Sequence, residues 1–270
     1  METAPKNVEQ APSSVITHES QMKVLSRTPC GDERSESESS IDAKWVANDH
    51  VTSLAAILES LDEVRVSQHL DVVEVCLCWE RSNRYSLYNK QGEQILYTYE
   101  AAQCYARQCY GSLREFTLIT TDNDDNRLLY LQRPARCSSR FFYACCCLQE
   151  MSIIIPPKDT LAVLKEKWSC CIPQYEMMDS DGNLKFILCG ECGHFRMCNS
   201  IHFSVRNMDG TEVATIRKPW GGCSLKTLIG GSNSFTIKYL ENLTKEEKVM
   251  ILGSSFLLDF NYFERHGKCY

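Results

Sequence analysis

Cysteine supplies most of the reactive side chains in this sequence. The 270-residue chain contains sixteen cysteines, and a thiol can bind metal, carry a fatty acyl group or remain free. No apolar signal segment opens the chain, so we expect a reducing compartment in which disulfides do not form. None of the thiols has the histidine and aspartate pattern of a catalytic nucleophile. Two of the cysteine clusters are candidates for a shared chemical role.

The first cluster has the residue types of a zinc site. Cys189, Cys192, Cys198 and His202 follow the spacing Cys-x2-Cys-x5-Cys-x3-His, and thiolate and imidazole are the ligands that structural zinc prefers. The alternative is a set of structural thiols lying between two hairpins. We favour the structural interpretation, so zinc is a candidate here and not an expected cofactor.

The second cluster is a run of three adjacent thiols. Cys145, Cys146 and Cys147 come shortly after the aromatic residues at 141–143. Acyl chains on two such thiols would hold a protein stably on a membrane, because each buried methylene contributes about 0.8 kcal/mol. Buried cysteines of a β-strand are the alternative, and the residues by themselves favour that alternative.

The charge balance argues against one broad class of function. Lys plus Arg number 29 and Asp plus Glu number 35, so the formal net charge is −6, whereas a nonspecific nucleic-acid binder carries a basic surface. Residues 1–50 are acidic and rich in serine, and they predict a disordered tail. This tail contains Pro5, Pro12 and Pro29 but no PxxP motif, so we expect no docking to SH3 or WW domains. Residues 51–270 carry the apolar pattern of a folded domain.

Four segments have the pattern of β-hairpins. Aromatic or β-branched residues flank Asn, Asp or Gly in residues 85–99, 116–131, 175–188 and 201–216, and these turn residues tolerate positive φ. The first and third segments start 90 residues apart, and the second and fourth start 85 apart, which indicates an internal duplication of a hairpin pair. Many antiparallel strands without interleaved long helices predict a mainly β, closed barrel, since closure leaves no exposed edge.

The last long element is a predicted helix over residues 244–264. Thr244 and Glu247 have the spacing of a capping box, and residues 249–263 are apolar nearly all round, which requires burial in protein or lipid. We expect the helix inside the barrel. A single-pass membrane anchor is the alternative, and Asp259 weighs against it. The side chains expected in the core are Val249, Ile251, Leu252, Phe256, Leu257 and Phe260.

Six motifs occur along the chain in a recognisable order. They are residues 83–89 (NRYSLYN) with Gly92, 133–139 (RPARCSS), 145–150 (CCCLQE), 155–157 (IPP), 216–220 (IRKPW) and 250–264 (MILGSSFLLDFNYFE). Together they resemble the phospholipid scramblase family, over residues 54–264. The resemblance implies a fold similar to the Tubby C-terminal domain, a twelve-stranded antiparallel barrel around a central hydrophobic helix.

The resemblance also implies a function. Family members are proposed to move phospholipids between bilayer leaflets in both directions, driven by calcium and not by ATP, at the cytoplasmic face of the plasma membrane. The cysteine cluster matching residues 145–147 is thioesterified by fatty acid, as in palmitoylation, and a member without acyl groups is expected in the cytosol or nucleus. Phospholipids and the membrane surface are therefore the expected partners.

Two other functions stay open as alternatives. A lipid- or protein-binding adaptor tethered to a membrane would use the same barrel without transporting lipid, because a fold does not fix a function. An intracellular interaction module stabilised by zinc would use the cluster of cysteines and histidine instead.

The family's calcium segment corresponds to residues 230–241 of this sequence. Calcium takes six to eight oxygen ligands, several of them from carboxylates. This stretch offers Asn233 and a single carboxylate, Glu241, and it adds the positive charge of Lys238. Calcium is the cofactor that the resemblance implies, yet the charge of this segment predicts weak binding or none.

Overall fold

A computed structural model describes residues 54, 56–69, 82–101, 114–136, 148–156, 160–169, 172–191, 200–219, 233–240 and 243–263. The predicted tail, residues 1–50, lies outside the described residues. The strands are β1 Glu63–Gln68, β2 Arg84–Tyr88, β3 Gln94–Ala101, β4 Phe116–Thr121, β5 Arg127–Arg133, β6 Glu150–Ile154, β7 Thr160–Lys167, β8 Gln174–Asp179, β9 Leu184–Gly190, β10 Ile201–Arg206, β11 Glu212–Lys218 and β12 Asn233–Tyr239. A helix, α1 Lys245–Leu258, and a π-helical turn, Asp259–Phe263, follow.

The twelve strands form one closed antiparallel barrel. Each strand pairs with its neighbours in sequence, and β1 pairs with β12 to complete the ring. Side chains alternate between the interior and the outside, so Val64 and Val66 of β1 are buried while Arg65 is exposed. The predicted fold class is confirmed, and closure leaves no sheet edge for pairing with another chain.

The four predicted hairpins share one turn chemistry. In each turn a side-chain oxygen of the first residue accepts the backbone N–H four residues further on, at 2.8–2.9 Å. These first residues are Asn89, Asp122, Asp179 and Asn207. The residue three positions after each has positive φ: Gly92, Gly182 and Gly210 near 80°, and Asp125 at 65°. Glycine and aspartate tolerate this conformation, which explains the turn residues in the sequence.

The internal duplication is visible in the order of strands. The pair β2 and β3 repeats as β8 and β9, and the pair β4 and β5 repeats as β10 and β11, at the sequence offsets of 90 and 85 residues. Corresponding strands are six positions apart around a ring of twelve. The two halves of the chain therefore face each other across the barrel.

Helix α1 occupies the interior of the barrel. Its side chains from Lys248 to Leu258 are all buried, and the six expected core residues are at most 1% exposed. The backbone of Gly253 lies so close to β5 and β6 that an added Cβ would meet Ile153 Cδ1 at 2.9 Å and Leu131 Cδ2 at 3.1 Å. Glycine at this position lets the helix approach the barrel wall.

The predicted capping box starts the helix. The Thr244 hydroxyl accepts the Glu247 N–H at 3.3 Å, and the Glu247 carboxylate accepts the Thr244 N–H at 2.8 Å. The α-helix ends earlier than predicted, at Leu258, where a wider π turn begins. Phe260, in this turn, stacks on Phe116 of β4, with 4.0 Å between the two ring centres.

Lys248 connects the start of helix α1 to the segment that precedes β1. Lys248 Nζ donates hydrogen bonds to the carbonyls of Leu58, Glu59 and Leu61 at 2.8–3.1 Å. Leu58 belongs to a helical turn whose apolar side is buried. One ammonium group thus binds three carbonyls at the end of this turn, where a helix leaves carbonyls without intrahelical partners; the Leu58 carbonyl also accepts the Leu61 N–H at 3.2 Å.

Candidate functional site

The two ends of the barrel differ in the length of their connections. The long-connection end is where odd-numbered strands finish and even-numbered strands begin, and its connections run from six to sixteen residues. The short-connection end has connections of four or five residues. Helix α1 begins at the short-connection end, where the Tyr239 hydroxyl donates to the Lys248 carbonyl, and finishes at the other.

A buried carboxylate lies at the finish of the helix. Tyr85 donates its hydroxyl proton to Asp259 Oδ2 at 2.7 Å, and Asp259 Oδ1 has no hydrogen-bond partner in the described structure. Burial raises the pKa of Asp259, while the charge of Lys218 and the hydrogen bond from Tyr85 oppose that rise. A carboxylate beside the negative end of a helix is further disfavoured. The protonated form is therefore favoured here more than in water.

Two tyrosines and an amide hold the other side of the same turn. Asn261 Nδ2 donates to the Tyr175 hydroxyl at 2.9 Å, and that hydroxyl donates to the Tyr262 oxygen at 3.1 Å. Burial raises the pKa of Tyr175 well above its ordinary value, so this phenol stays neutral. The chain of hydrogen bonds fixes the π turn against β8.

Two buried arginines lie beside a pair of stacked phenylalanine rings. Arg114 makes two hydrogen bonds to the Glu100 carboxylate, at 2.7 and 2.9 Å, and its guanidinium lies 5.2 Å from the centre of the Phe260 ring. The Arg133 guanidinium lies 5.4 Å from the centre of the other ring of the stack, Phe116. The four side chains form a layer across the long-connection end, held by stacking and cation–π attraction.

Sequence reasoning missed most of this polar layer. Glu100 and Arg114 lie near strand ends that no motif marked, and Arg133 opens the motif at residues 133–139 without having been singled out. Tyr85 and Tyr175 occupy equivalent positions of the duplicated halves, and this repetition is the sequence signal that could have identified the two tyrosines. The layer joins the end of the helix to the strands.

The three adjacent thiols lie outside the described residues, but the base of their connection is described. Arg136 donates to the Leu148 carbonyl at 3.1 Å and to Glu150 Oε2 at 2.8 Å. Gln149 accepts from Arg133 Nε at 2.9 Å. The chain therefore leaves β5 and returns to β6 at one tightly bonded point of the long-connection end, on either side of Cys145, Cys146 and Cys147.

The zinc candidate is only partly described. Cys189 and His202 point outward from β9 and β10 into one open cleft of about 650 Å³, and His202 Nδ1 lies 3.3 Å from Glu191 Oε1. Cys192 and Cys198 lie outside the described residues. Within the described part of the chain, no three metal-ligating side chains converge as a metal site would require.

The calcium segment contains a strand of the barrel. Asn233 begins β12 opposite Gln68 of β1, and Glu241 lies outside the described residues. Lys238 Nζ lies 3.5 Å from Glu63 Oε2 across the same strand pair. Strand β12 pairs with β1 on one side and with β11 on the other. Its backbone N–H and C=O groups are therefore used in pairing within the sheet.

Across the ranges that the structure describes, no helix is both long and apolar enough to cross a membrane.

The chain matches a known protein family over most of its length. The family model described as Scramblase matches residues 41–265. The chain is 32% identical over 211 residues to phospholipid scramblase 1 of Rattus norvegicus, covering 78% of this chain and 62% of that protein. It is 31% identical to phospholipid scramblase 2 of Bos taurus, covering 77% and 70%, and 28% identical to phospholipid scramblase family member 5 of Homo sapiens, covering 77% and 76%. The chain spans 62–65% of the length of the first three relatives. No solved structure matches it with statistical significance.

Proposed function

Because this chain belongs to the scramblase family, we propose that it is a membrane-associated protein that moves phospholipids between bilayer leaflets in both directions without ATP. The family match carries this proposal, since it spans the barrel and the central helix together. Relatives whose names describe phospholipid scrambling match most of the same region. Phospholipids at a membrane surface are the proposed substrate.

Membrane attachment in this proposal comes from fatty acyl groups on Cys145, Cys146 and Cys147. Two acyl chains suffice for stable anchoring, because the free energy grows with each buried methylene. The hydrogen bonds of Arg136 support this role, since they hold together the two ends of the connection whose sequence contains these thiols. The proposed location is the cytoplasmic face of the plasma membrane, with release to the cytosol or nucleus when the thiols are free.

The filled interior of the barrel limits where lipid can move. Apolar side chains of α1 occupy the barrel axis and contact strands on several sides. A charged headgroup crossing there would lose its hydration without gaining partners, which costs several kcal/mol. In this proposal the headgroup therefore moves along the boundary between the protein surface and the lipid.

A lipid-binding adaptor without transport activity is the second candidate. Two observations favour it: the interior is occupied by α1, and the segment matching the family's calcium site holds one carboxylate. An adaptor needs only a stable surface, which the closed barrel offers, and an anchor, which the proposed acyl groups would supply. Lipid movement, by contrast, needs a route for the headgroup.

Reconstitution separates the two candidates. Purified full-length protein is inserted into vesicles that contain a fluorescent phospholipid, and the fraction of lipid accessible to an external quencher is followed without ATP, with and without calcium. Faster exchange than in protein-free vesicles supports scrambling. Vesicle binding with no faster exchange identifies an adaptor. Protein carrying Gly253→Val, whose added side chain crowds Ile153 and disturbs the packing of the helix in the barrel, is the negative control: exchange that depends on the folded barrel should be lost in this variant.

A further inference from the structure

Tyrosine side chains lie on the outer wall of the barrel in one half of the duplicated chain. Every second residue of β3 is buried in the interior, so Tyr97 and Tyr99, which alternate with those residues, point outward. Tyr88 of β2 and Tyr130 of β5 alternate with core residues in the same way. With two arginines of the same strands, these side chains form a surface that we call the tyrosine face: Arg84, Tyr88, Tyr97, Tyr99, Arg127 and Tyr130.

The other half of the duplication lacks this surface. Neither tyrosine nor arginine occurs at the six equivalent positions, which lie 90 residues further along for β2 and β3 and 85 further along for β5. These positions hold, in order, Gln174, Met178, Ile187, Cys189, Glu212 and Thr215. Both halves build the same strands of one ring, so the fold does not require the tyrosine face. Its composition therefore points to a role at the surface.

The tyrosine face carries positive charge. The outward positions of β2, β3 and β4 hold Arg84 and no carboxylate. Asp125, in the turn before β5, lies near Arg127 and offsets part of its charge. On β8 of the other half, by contrast, Glu176 faces outward and pairs with Lys167. An anionic partner is therefore attracted more strongly to the tyrosine face than to the equivalent wall.

Three rings stand in a row across this surface. The ring centres of His69 and Tyr97 are 6.4 Å apart, and those of Tyr97 and Tyr99 are 6.3 Å apart. All three side chains are at least partly exposed. Burial and the charge of Arg84 both lower the pKa of His69, and burial raises the pKa of Tyr97 against the opposing charge of Arg84. The rings are thus neutral at pH 7, with polar tips beside a guanidinium group.

We propose that the tyrosine face is the wall on which the barrel rests against an anionic bilayer. Neutral rings with polar tips favour the headgroup region, and arginines near the surface are attracted to anionic lipid. The placement is side-on, because the face runs along strands β2, β3 and β5 of the wall. The inference deepens the proposed function and rests on its membrane partner, but it does not require lipid transport.

A matched pair of double variants tests the contact. Arg84→Gln with Tyr97→Thr removes a charge and a ring from the tyrosine face. Arg217→Gln with Ile187→Thr makes the same kinds of change on the outer wall of the other half, where Ile187 is the equivalent of Tyr97 and Arg217 is exposed. Unacylated full-length protein is floated with vesicles of phosphatidylcholine containing phosphatidylserine, and thermal unfolding shows whether each variant is folded. We expect the first variant to bind about tenfold more weakly, about fivefold of it from the arginine, and the second to match the parent.

Hydroxyl-radical footprinting of the parent protein tests the same contact without any substitution. Tyr97 and Tyr99 should be oxidised more slowly when vesicles are bound. Met178 and Ile187, on the equivalent wall, should be oxidised at the same rate with and without vesicles. This measurement decides the proposal even where the first double variant fails to fold.

The possible results are distinct. A loss confined to the Arg217 and Ile187 variant, an equal loss in both folded variants, or no loss in either overturns the placement. Protection of Met178 and not of Tyr97 does the same. Equal binding to vesicles of phosphatidylcholine alone overturns the anionic character of the partner. Absence of vesicle binding by the parent protein overturns the inference altogether and leaves the tyrosine face as a surface for a protein partner.

Failure here is distinguishable from failure of the proposed function. Binding that depends on Arg84 and Tyr97, in vesicles where lipid exchange is not accelerated, upholds the contact and contradicts scrambling. Accelerated exchange with binding that is indifferent to these two residues does the reverse.

Discussion

Tyr85 and Tyr175 hold the end of α1 from opposite walls of the barrel. They are 90 residues apart in the chain and lie at matching positions of β2 and β8, six strands apart in the ring. Tyr85 binds Asp259, and Tyr175 binds Asn261 and Tyr262. The duplicated strands thus supply one phenol from each half, although the helix that they hold occurs once. This arrangement fixes the helix end at the side of the molecule that carries the cysteine-rich connections.

Leu257→Asp should unfold the barrel. Leu257 is a fully buried residue of α1. An unpaired charge at such a position costs several kcal/mol. Leu240→Asp, at an exposed position, is the matched control and should change stability by less than about 0.5 kcal/mol. Chemical unfolding followed by circular dichroism measures both. A folded Leu257→Asp protein that merely left the membrane fraction would contradict enclosure of the helix.

Asp259→Asn should reduce the dependence of stability on pH. Burial raises the pKa of Asp259 in the folded protein above its unfolded value of about 3.9. Between those two values the folded state binds more protons, so stability from this group is complete below the unfolded pKa and is lost as pH rises through the folded pKa. The variant keeps an acceptor for Tyr85 but does not ionise.

Urea unfolding tests the predicted direction of the pH dependence. The parent and the Asp259→Asn protein are unfolded at several pH values between 4 and 8, a range that starts near the unfolded pKa. The free energy of unfolding of the parent should fall relative to that of the variant as pH rises. Parallel curves would show that Asp259 ionises as readily in the folded protein as in the unfolded chain.

Loss of one member of the Glu100–Arg114 pair should destabilise the protein strongly. Both side chains are buried, and they share two hydrogen bonds. Glu100→Gln or Arg114→Met leaves a buried charge without its counter-ion, which costs about 3–5 kcal/mol. The double variant should cost less than the sum of the two single changes.

An exposed ion pair supplies the control for these single and double variants. Lys167 and Glu176 lie 2.6 Å apart on the outside of β7 and β8, and Lys167→Met should cost about 1 kcal/mol or less. Additive effects at Glu100 and Arg114, measured by chemical unfolding, would indicate that the two residues do not stabilise the barrel as a pair.

Replacing Cys145, Cys146 and Cys147 together by serine should abolish hydroxylamine-sensitive acyl labelling. The protein should then move from membranes to the cytosol or nucleus, because the anchor of buried methylenes is lost. Cys170→Ser with Cys171→Ser, another run of adjacent thiols in a connection of the same end, is the control and should keep its labelling. Unchanged labelling of the triple variant would place the anchor on other cysteines.

Calcium should bind residues 230–241 weakly or not at all. Carboxylates provide most of the compensation for the water that the ion loses, and Glu241 is the one carboxylate of this segment. Affinity should lie at or beyond the weak end of the range of about 10⁻⁴–10⁻³ M that weak extracellular modules show. Isothermal titration of the full-length protein measures it. Micromolar affinity that disappears in Glu241→Gln would restore calcium-driven lipid movement as the leading mechanism.

The sequence by itself determined the local elements. Each predicted hairpin depends on an Asn or Asp that accepts an N–H four residues later, followed by a residue with positive φ, and both requirements are written in adjacent residues. The capping box of Thr244 and Glu247 is local in the same way. The offsets of 90 and 85 residues revealed the duplication without any coordinates.

The tertiary structure decided what depends on distant residues. Strands β6, β7 and β12 were not predicted individually from the residue pattern. None of them adjoins a short turn that starts with Asn or Asp and has a positive-φ residue three positions later, so their identity comes from pairing with neighbours. The closing pair of β1 and β12 joins residues that are 165 to 175 positions apart, so no local pattern encodes it.

The burial of Glu100 with Arg114 and the opposition of Tyr85 and Tyr175 likewise required the closed ring. The sequence contains Tyr85 and Tyr175 at equivalent positions of two repeated strands, but only the closed ring of twelve strands places them on opposite walls around one helix end. The physical reason is that strand pairing, unlike a turn or a helix cap, joins residues far apart in the chain.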